Sequence, residues 1–317
     1  MANRPTNVQI RADLTNYAYG IMQDLQAARR IAQILSPVVP TGGVTGLYNK
    51  FDDTAAFKAF SDAVARRAVG GQANKIEFLS TTANYNAKPY GLRVAIDQFE
   101  RDQAGAVQSL LEQAKTRTLT INCAMAYLAN VVTIIKAAVA ATAGKGLWAE
   151  ANVDPIQELN DLIKSVWLGS GIVPNHVCMD FGAWCVLSGN ANVLKRMPGA
   201  DIAAVTPTRV QGMLVNPNAT IDIVDTAVLY GGGLGNSSAT KRGVLQGTVL
   251  AFYTSAEADA YDPSFCKTFA PSANLFTDVY TYREEPHLDW FENDWTCQPV
   301  VVAASLCKRI DVTGANS

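Results

Sequence analysis

Charge is what this 317-residue chain lacks most: Asp, Glu, Lys and Arg make up 17% of it, where a soluble globular chain carries about 25%. Those are the side chains that normally coat a monomer, so the chain either sits in a membrane or hides surface against other chains. The charges that remain nearly cancel, 26 basic against 28 acidic. A basic nucleic-acid clamp is thereby excluded, and 49% hydrophobic residues exclude a disordered tail. The six cysteines (Cys123, Cys178, Cys185, Cys266, Cys297, Cys307) form no Cys-x-x-Cys pair and are spread too thinly for a disulfide scaffold or a zinc ribbon. They read as reduced and mostly buried. The first residues show no apolar run followed by a small-residue cleavage site, so no secretory signal is read there and synthesis in the cytoplasm is expected.

Histidine is scarce as well, which lets the catalytic options be enumerated. His176 and Cys178 alternate, with Cys185 seven residues further; the spacing fits no zinc finger or deaminase, and a satisfied His beside buried thiols is expected. His287 sits among carboxylates in Glu284-Glu285-Pro286-His287-Leu288-Asp289 and reads as a solvated turn. Gly231-Gly232-Gly233-Leu234-Gly235 lacks both the Gly-Lys-Ser/Thr and the following helix that phosphate loops need, so it reads as a loop between strands. Gly-x-Ser-x-Gly and His-Glu-x-x-His are absent. The basic pairs Arg29-Arg30, Arg66-Arg67 and Lys241-Arg242 are isolated and form no binding track. No catalytic residue, metal or cofactor is expected.

What is present is helical pattern without interruption. From 106 to 141 there is no Gly or Pro, and Leu111, Ala114, Thr118, Ile121, Met125, Leu128, Val132, Ile135 and Val139 recur at three- and four-residue steps, which predicts one long helix. Its span of about 54 Å at 1.5 Å per residue exceeds the roughly 38 Å diameter of a compact 150-residue domain. Within it, 118–143 carries a single charge, Lys136, and is long enough to cross a bilayer. Asn122, Asn130 and the missing aromatic belt weigh against that. Upstream, 75–80 and 90–97 alternate around a polar connection at 81–89, which predicts a long two-stranded hairpin that either lies on a further surface or joins the domain's own sheet. Downstream, Asp154-Pro155-Ile156-Gln157 supplies an N-cap, a proline in the first turn and a helix expected to end at Gly169. A strand at 176–179, a helix opening at Asp180, strands near 219–224 and 244–253, and closing strands at 276–283 and 299–312 complete an α+β pattern.

This order of parts resembles the major capsid proteins of tailed bacteriophages, the Hong Kong 97-type fold. The residues that carry the resemblance are Ile31 to Val39, ending Leu35-Ser36-Pro37-Val38-Val39, the step Gly46-Leu47-Tyr48-Asn49-Lys50-Phe51, the segment Tyr90-Gly91-Leu92, and Pro174 to Asp180 leading into a helix. The resemblance implies an N-terminal arm (1–52), an extended-loop region (53–97, hairpin about 74–97), a peripheral domain (98–152 and 275–317) with its spine helix at 106–141, and an α/β axial domain (153–274). It implies a structural, non-enzymatic subunit that self-assembles, as pentamers and hexamers, into the icosahedral head shell of a double-stranded DNA phage. Arm and loop would lie across neighbouring subunits, with Arg29, Arg30, Tyr48, Phe51, Tyr85, Lys88, Tyr90 and Arg93 as assembly contacts. The implied partners are a separate scaffolding protein, because the arm motif begins only about 25 residues in, a portal, a decoration protein and packaged DNA contacted non-specifically. No membrane is implied, and the expected location is the virion capsid, assembled in the host bacterial cytoplasm. A cytoplasmic α/β enzyme and a membrane-anchored protein spanning 118–143 are the rival expectations.

Overall fold

The computed structural model describes residues 9–24, 26–51, 66–67, 69–72, 80–196, 205–230, 240–255, 259–260, 262–273, 275–276 and 278–315. The long helix runs Gln108–Ala138, preceded by a shorter helix Gln98–Ala104 that Asp97 caps at Phe99 N and a 3-10 turn Gly105–Val107. At 31 residues it is about 46 Å long. Its buried face carries Leu119, Cys123, Ala124, Tyr127, Leu128, Val131, Val132 and Ile135, so in its first half the expected stripe is rotated: Ala114 and Thr118 are exposed. The helix is low in charge on all sides, and composition alone therefore marks no unique face.

Two arm helices, Ala12–Asp24 and Gln26–Leu35, lie on this helix and bury Leu14, Ala18, Ile31, Ala32 and Leu35 in the same core. On its other side is a six-stranded sheet, ordered β1 (Gln9–Ile10), β12 (Val279–Glu285), β13 (Leu288–Val301), β11 (Cys266–Ala270), β2 (Val38–Pro40), with β5 (Lys88–Asp97) also paired to β13. β13 alternates strictly, with Phe291, Asn293, Trp295 and Cys297 inward. It pairs with β12 and β5 along its first part and with β11 from Gln298 to Val301.

The second lobe is a four-stranded sheet, β14 (Cys307–Asp311), β10 (Thr248–Phe252), β6 (His176–Asp180), β7 (Thr220–Val224). Helix Pro155–Ser170 packs on it; Asp154 accepts from Ile156 N and Gln157 N, and the cap is Gly171 at φ +74°, two residues beyond the expected Gly169. Glu158 is buried there, its Oε2 accepting from Gly146 N (2.9 Å) and Trp148 Nε1 (2.8 Å). A small antiparallel pair, β8 (Ala227–Tyr230) and β9 (Thr240–Gly243), flanks the glycine run 231–235, which lies outside the described residues.

One expectation is corrected: the described part of 75–80 does not pair with 90–97. β4 (Ser80–Asn86) pairs with β3 (Thr45–Phe51), while β5 pairs with β13; 75–79 lies outside the described residues. The supposed polar connection 81–89 is itself strand, and only Ala87 separates β4 from β5, so the two follow one another instead of folding back. Pro89 fits because β5 is an edge strand among the described residues, where a missing N–H costs no ladder bond. Each lobe draws strands from both sides of 274/275. β11, placed with the axial domain, joins the sheet of the long helix, and β14, placed with the peripheral domain, joins the second lobe.

Candidate functional site

β3 and β4 form a two-stranded ribbon paired from Thr45↔Asn86 to Phe51↔Ser80, about 23 Å long at ~3.3 Å per residue. A ribbon of this kind is marginal alone, and among the described residues this one is fastened at its base. Tyr85 stacks on Phe269 at 4.8 Å and 18°, and Tyr48 leans on the same ring at 5.3 Å. With Val39 and Val300 they form a satellite cluster separate from the main cores. Gly46 lies opposite Tyr85, and a Cβ there would sit 2.5 Å from the Tyr85 hydroxyl; the missing side chain lets the ring lie flat across the ribbon. Ala87 N donates to Val44 O at 2.8 Å, and Asn86 N donates to Gln298 Oε1. The opposite face is bare: Leu47 is 69% exposed, beside exposed Thr82 and Asn84.

The eight expected contact residues therefore divide. Tyr48 and Tyr85 are brought together, but as the ribbon's anchor within its own chain, with Tyr85 only 5% exposed. Tyr90 stacks on Trp295 at 5.6 Å and accepts a long hydrogen bond from Asn130 of the long helix. Arg93 lies 4.1 Å over the Trp290 ring and donates to Tyr282 Oη at 3.1 Å. Lys88 is exposed where ribbon and sheet meet. Phe51 ends the described ribbon opposite Ser80, and Arg29 and Arg30 lie on the second arm helix; the side chains of these three are outside the described residues. Phe269, the centre of the anchor, was not expected. Nothing in Cys266-Lys267-Thr268-Phe269-Ala270 announces a partner 184 residues earlier in the chain.

The arm is tied down on its own chain rather than left free. Ser36 Oγ and Tyr127 Oη each meet Thr268 Oγ1, at 2.7 and 2.6 Å, in a fully buried cluster. At the other end Arg11 pairs with Asp13 and Glu112, Arg101 with Glu112 and Asp289, and Arg283 with Asp289, at 2.7–3.1 Å. The Arg11 hydrogen bond holds the Asp13 carboxyl at about 2. That chain of alternating charge links arm, long helix and sheet.

The rival chemistries find little support. His176 Nδ1 meets Asp222 Oδ2 at 2.9 Å and its ring stacks on Phe252. Cys178 is buried and its thiol pushed well above the ordinary range by burial, whereas Cys185 is exposed, so the two are not a pair. Burial likewise lifts Cys123, Cys266 and Cys297 to about 12, which leaves these thiols protonated and unreactive. Among the described residues no group of three His, Cys, Asp or Glu side chains could hold a metal. The long helix is long and apolar enough to cross a membrane, but ten of its residues are buried by the chain's own arm and strands.

No protein-family model and no curated protein matches the sequence. Solved structures do match over almost the whole chain. A phage-related protein from Bordetella bronchiseptica RB50 superposes with a TM-score of 0.70 at 16% identity, over 96% of this chain and 97% of that one. The capsid of cyanophage P-SCSP1u gives 0.51 at 13% identity, over 90% and 88%, and the SrpI encapsulin complex of Synechococcus elongatus PCC 7942 gives 0.53 at 10%, over 91% and 89%. The shared class is a mixed α+β fold with a long helix and sheets. It is the Hong Kong 97-type fold.

Proposed function

We propose that the chain is a major capsid protein that self-assembles into the icosahedral head shell of a tailed double-stranded DNA bacteriophage, with a structural and non-enzymatic role. The observation that carries this reading is the ribbon, a marginal two-stranded element with one face anchored and the other exposed, Leu47 among Thr82 and Asn84, set in a fold matched over 90% of the chain by a capsid structure. A neighbouring subunit would cover that face, which accounts for the shortage of surface charge. In this reading the lobe of the long helix is the peripheral domain and the second lobe the axial domain, meeting other copies as pentamers and hexamers. The contacts between copies would run through Leu47, Phe51 and Lys88 of the ribbon and Arg29 and Arg30 of the arm, with Tyr48, Tyr85, Tyr90 and Arg93 holding the ribbon and β5 in place. A separate scaffolding protein, a portal, a decoration protein and non-specifically held DNA are the partners this implies, with assembly in the host bacterial cytoplasm and the virion capsid as destination.

Electron microscopy and light scattering of the purified chain test the reading. Closed shells, or capsomers in the presence of scaffold, are expected. A stable detergent-free monomer that forms none of these refutes it. The encapsulin likeness supports a second reading, a shell of other content, and the nucleic acid recovered from nuclease-treated particles of phage-infected cells separates the two.

A further inference from the structure

The two lobes meet at the end of the long helix. Val139 leaves helical backbone at φ −113°, ψ 110°, and the last carbonyls of a helix have no partner within it. Arg309, on β14 of the other lobe, reaches them: Nη1 donates to Lys136 O at 2.8 Å and to Val139 O at 3.0 Å, and Nη2 donates to Asp311 Oδ2 at 2.9 Å. Its side chain is 13% exposed. The backbone joins in, with Thr142 N donating to Arg309 O at 2.8 Å and a parallel bridge from Ala141 to Arg309. A cation at this end also meets the negative pole of the helix.

Apolar packing surrounds this contact. One face of the second sheet, with Cys178, Leu250, Phe252 and Cys307, belongs to the core of the long helix, and the other face, with Val177, Met179 and Ala251, to the second core. Such packing holds the lobes together but is non-directional. A planar guanidinium bonded to three oxygens is directional. We infer that Arg309 is a positioning residue that sets the angle between the lobes, and through that angle the curvature of the shell. The second half rests on the capsid-subunit reading and the first does not. In a closed assembly of identical copies the diameter follows from the geometry each copy imposes on its contacts.

The test uses R309K, which keeps the charge but loses the fork, and R309Q, which loses both. Particle diameters are measured by electron microscopy, and the soluble subunit by small-angle scattering. Wild type should give one diameter. Both variants should lose that single population to mixed sizes or open sheets, and their subunits should scatter as a broadened range of lobe angles. Variants that fold and build particles of wild-type diameter overturn the inference, whatever their melting temperature. If R309Q does not fold, D311A removes the guanidinium's third oxygen and carries the same two outcomes. If wild type builds no particles, the capsid reading fails, and subunit scattering still decides whether Arg309 holds the lobes.

Discussion

Replacing Tyr85 with alanine should unfasten the ribbon while sparing the body of the protein. Tyr85 is nearly buried, stacked on Phe269 and laid across Gly46. Deleting a buried aromatic ring costs about 3–5 kcal/mol. Because that ring belongs to the satellite cluster and not to either main core, the cost falls on a local opening of β3 and β4 and not on global unfolding. With about 1.4 kcal/mol per factor of ten, the ribbon's opening equilibrium shifts by about two to three and a half orders of magnitude, enough to leave a marginal hairpin mostly open. Hydrogen exchange read by mass spectrometry reports this directly. Protection at 46–50 and 81–85 should vanish, while protection at 119–135 and the main thermal transition should stay. Tyr85→Phe, which keeps the ring, should exchange like wild type. Unchanged protection in the ribbon of Tyr85→Ala, or a loss spread equally over the long helix, would show that the ribbon is not anchored there.

Three further outcomes are expected. Replacing 49–82 by Asn-Gly, a two-residue turn that fits between the paired Tyr48 and Ala83, should leave a soluble folded chain whose long helix keeps its hydrogen-exchange protection but that builds no closed shells; normal shells would show the ribbon to be dispensable. Glu158→Ala strands two buried donors, Gly146 N and Trp148 Nε1, and should cost about 2–4 kcal/mol in urea denaturation, whereas Glu158→Gln, whose amide oxygen can accept from both, should cost less than half of that. Asp289 is held below the usual carboxylate range, chiefly by hydrogen bonds from Arg283 with Arg101 adding to the effect. Its contribution is therefore present above the unfolded value of ~3.9 and is lost as pH falls through the lower folded value. Asp289→Asn should cost about 1 kcal/mol at pH 6, as for a partly exposed pair, and should flatten the fall in stability below pH 4; an unchanged pH profile would place the acid sensitivity elsewhere.

Features with local causes were legible in the amino-acid order. The long helix and Pro155–Ser170 follow from three- and four-residue spacing and from Asp154 as cap, and β6 running into its helix follows from a short apolar run ended by the capping Asp180. These depend on neighbours within about five residues, so the chain carries the whole reason. What alternation could not supply is the identity of a strand's partner. The segment 90–97 reads as strand, but whether it pairs with the segment before it or with Leu288–Val301 turns on contacts about 200 residues away. The low charge pointed to hidden surface, and only the tertiary structure decided which surface is already covered and which is not: the arm and the 116–135 stretch of the long helix bury theirs within the chain, while the ribbon keeps Leu47 bare. Burial is a property of what approaches from elsewhere in the chain, and Phe269 beneath Tyr85 and Arg309 at the end of the long helix owe their roles to elements that only the folded topology brings together.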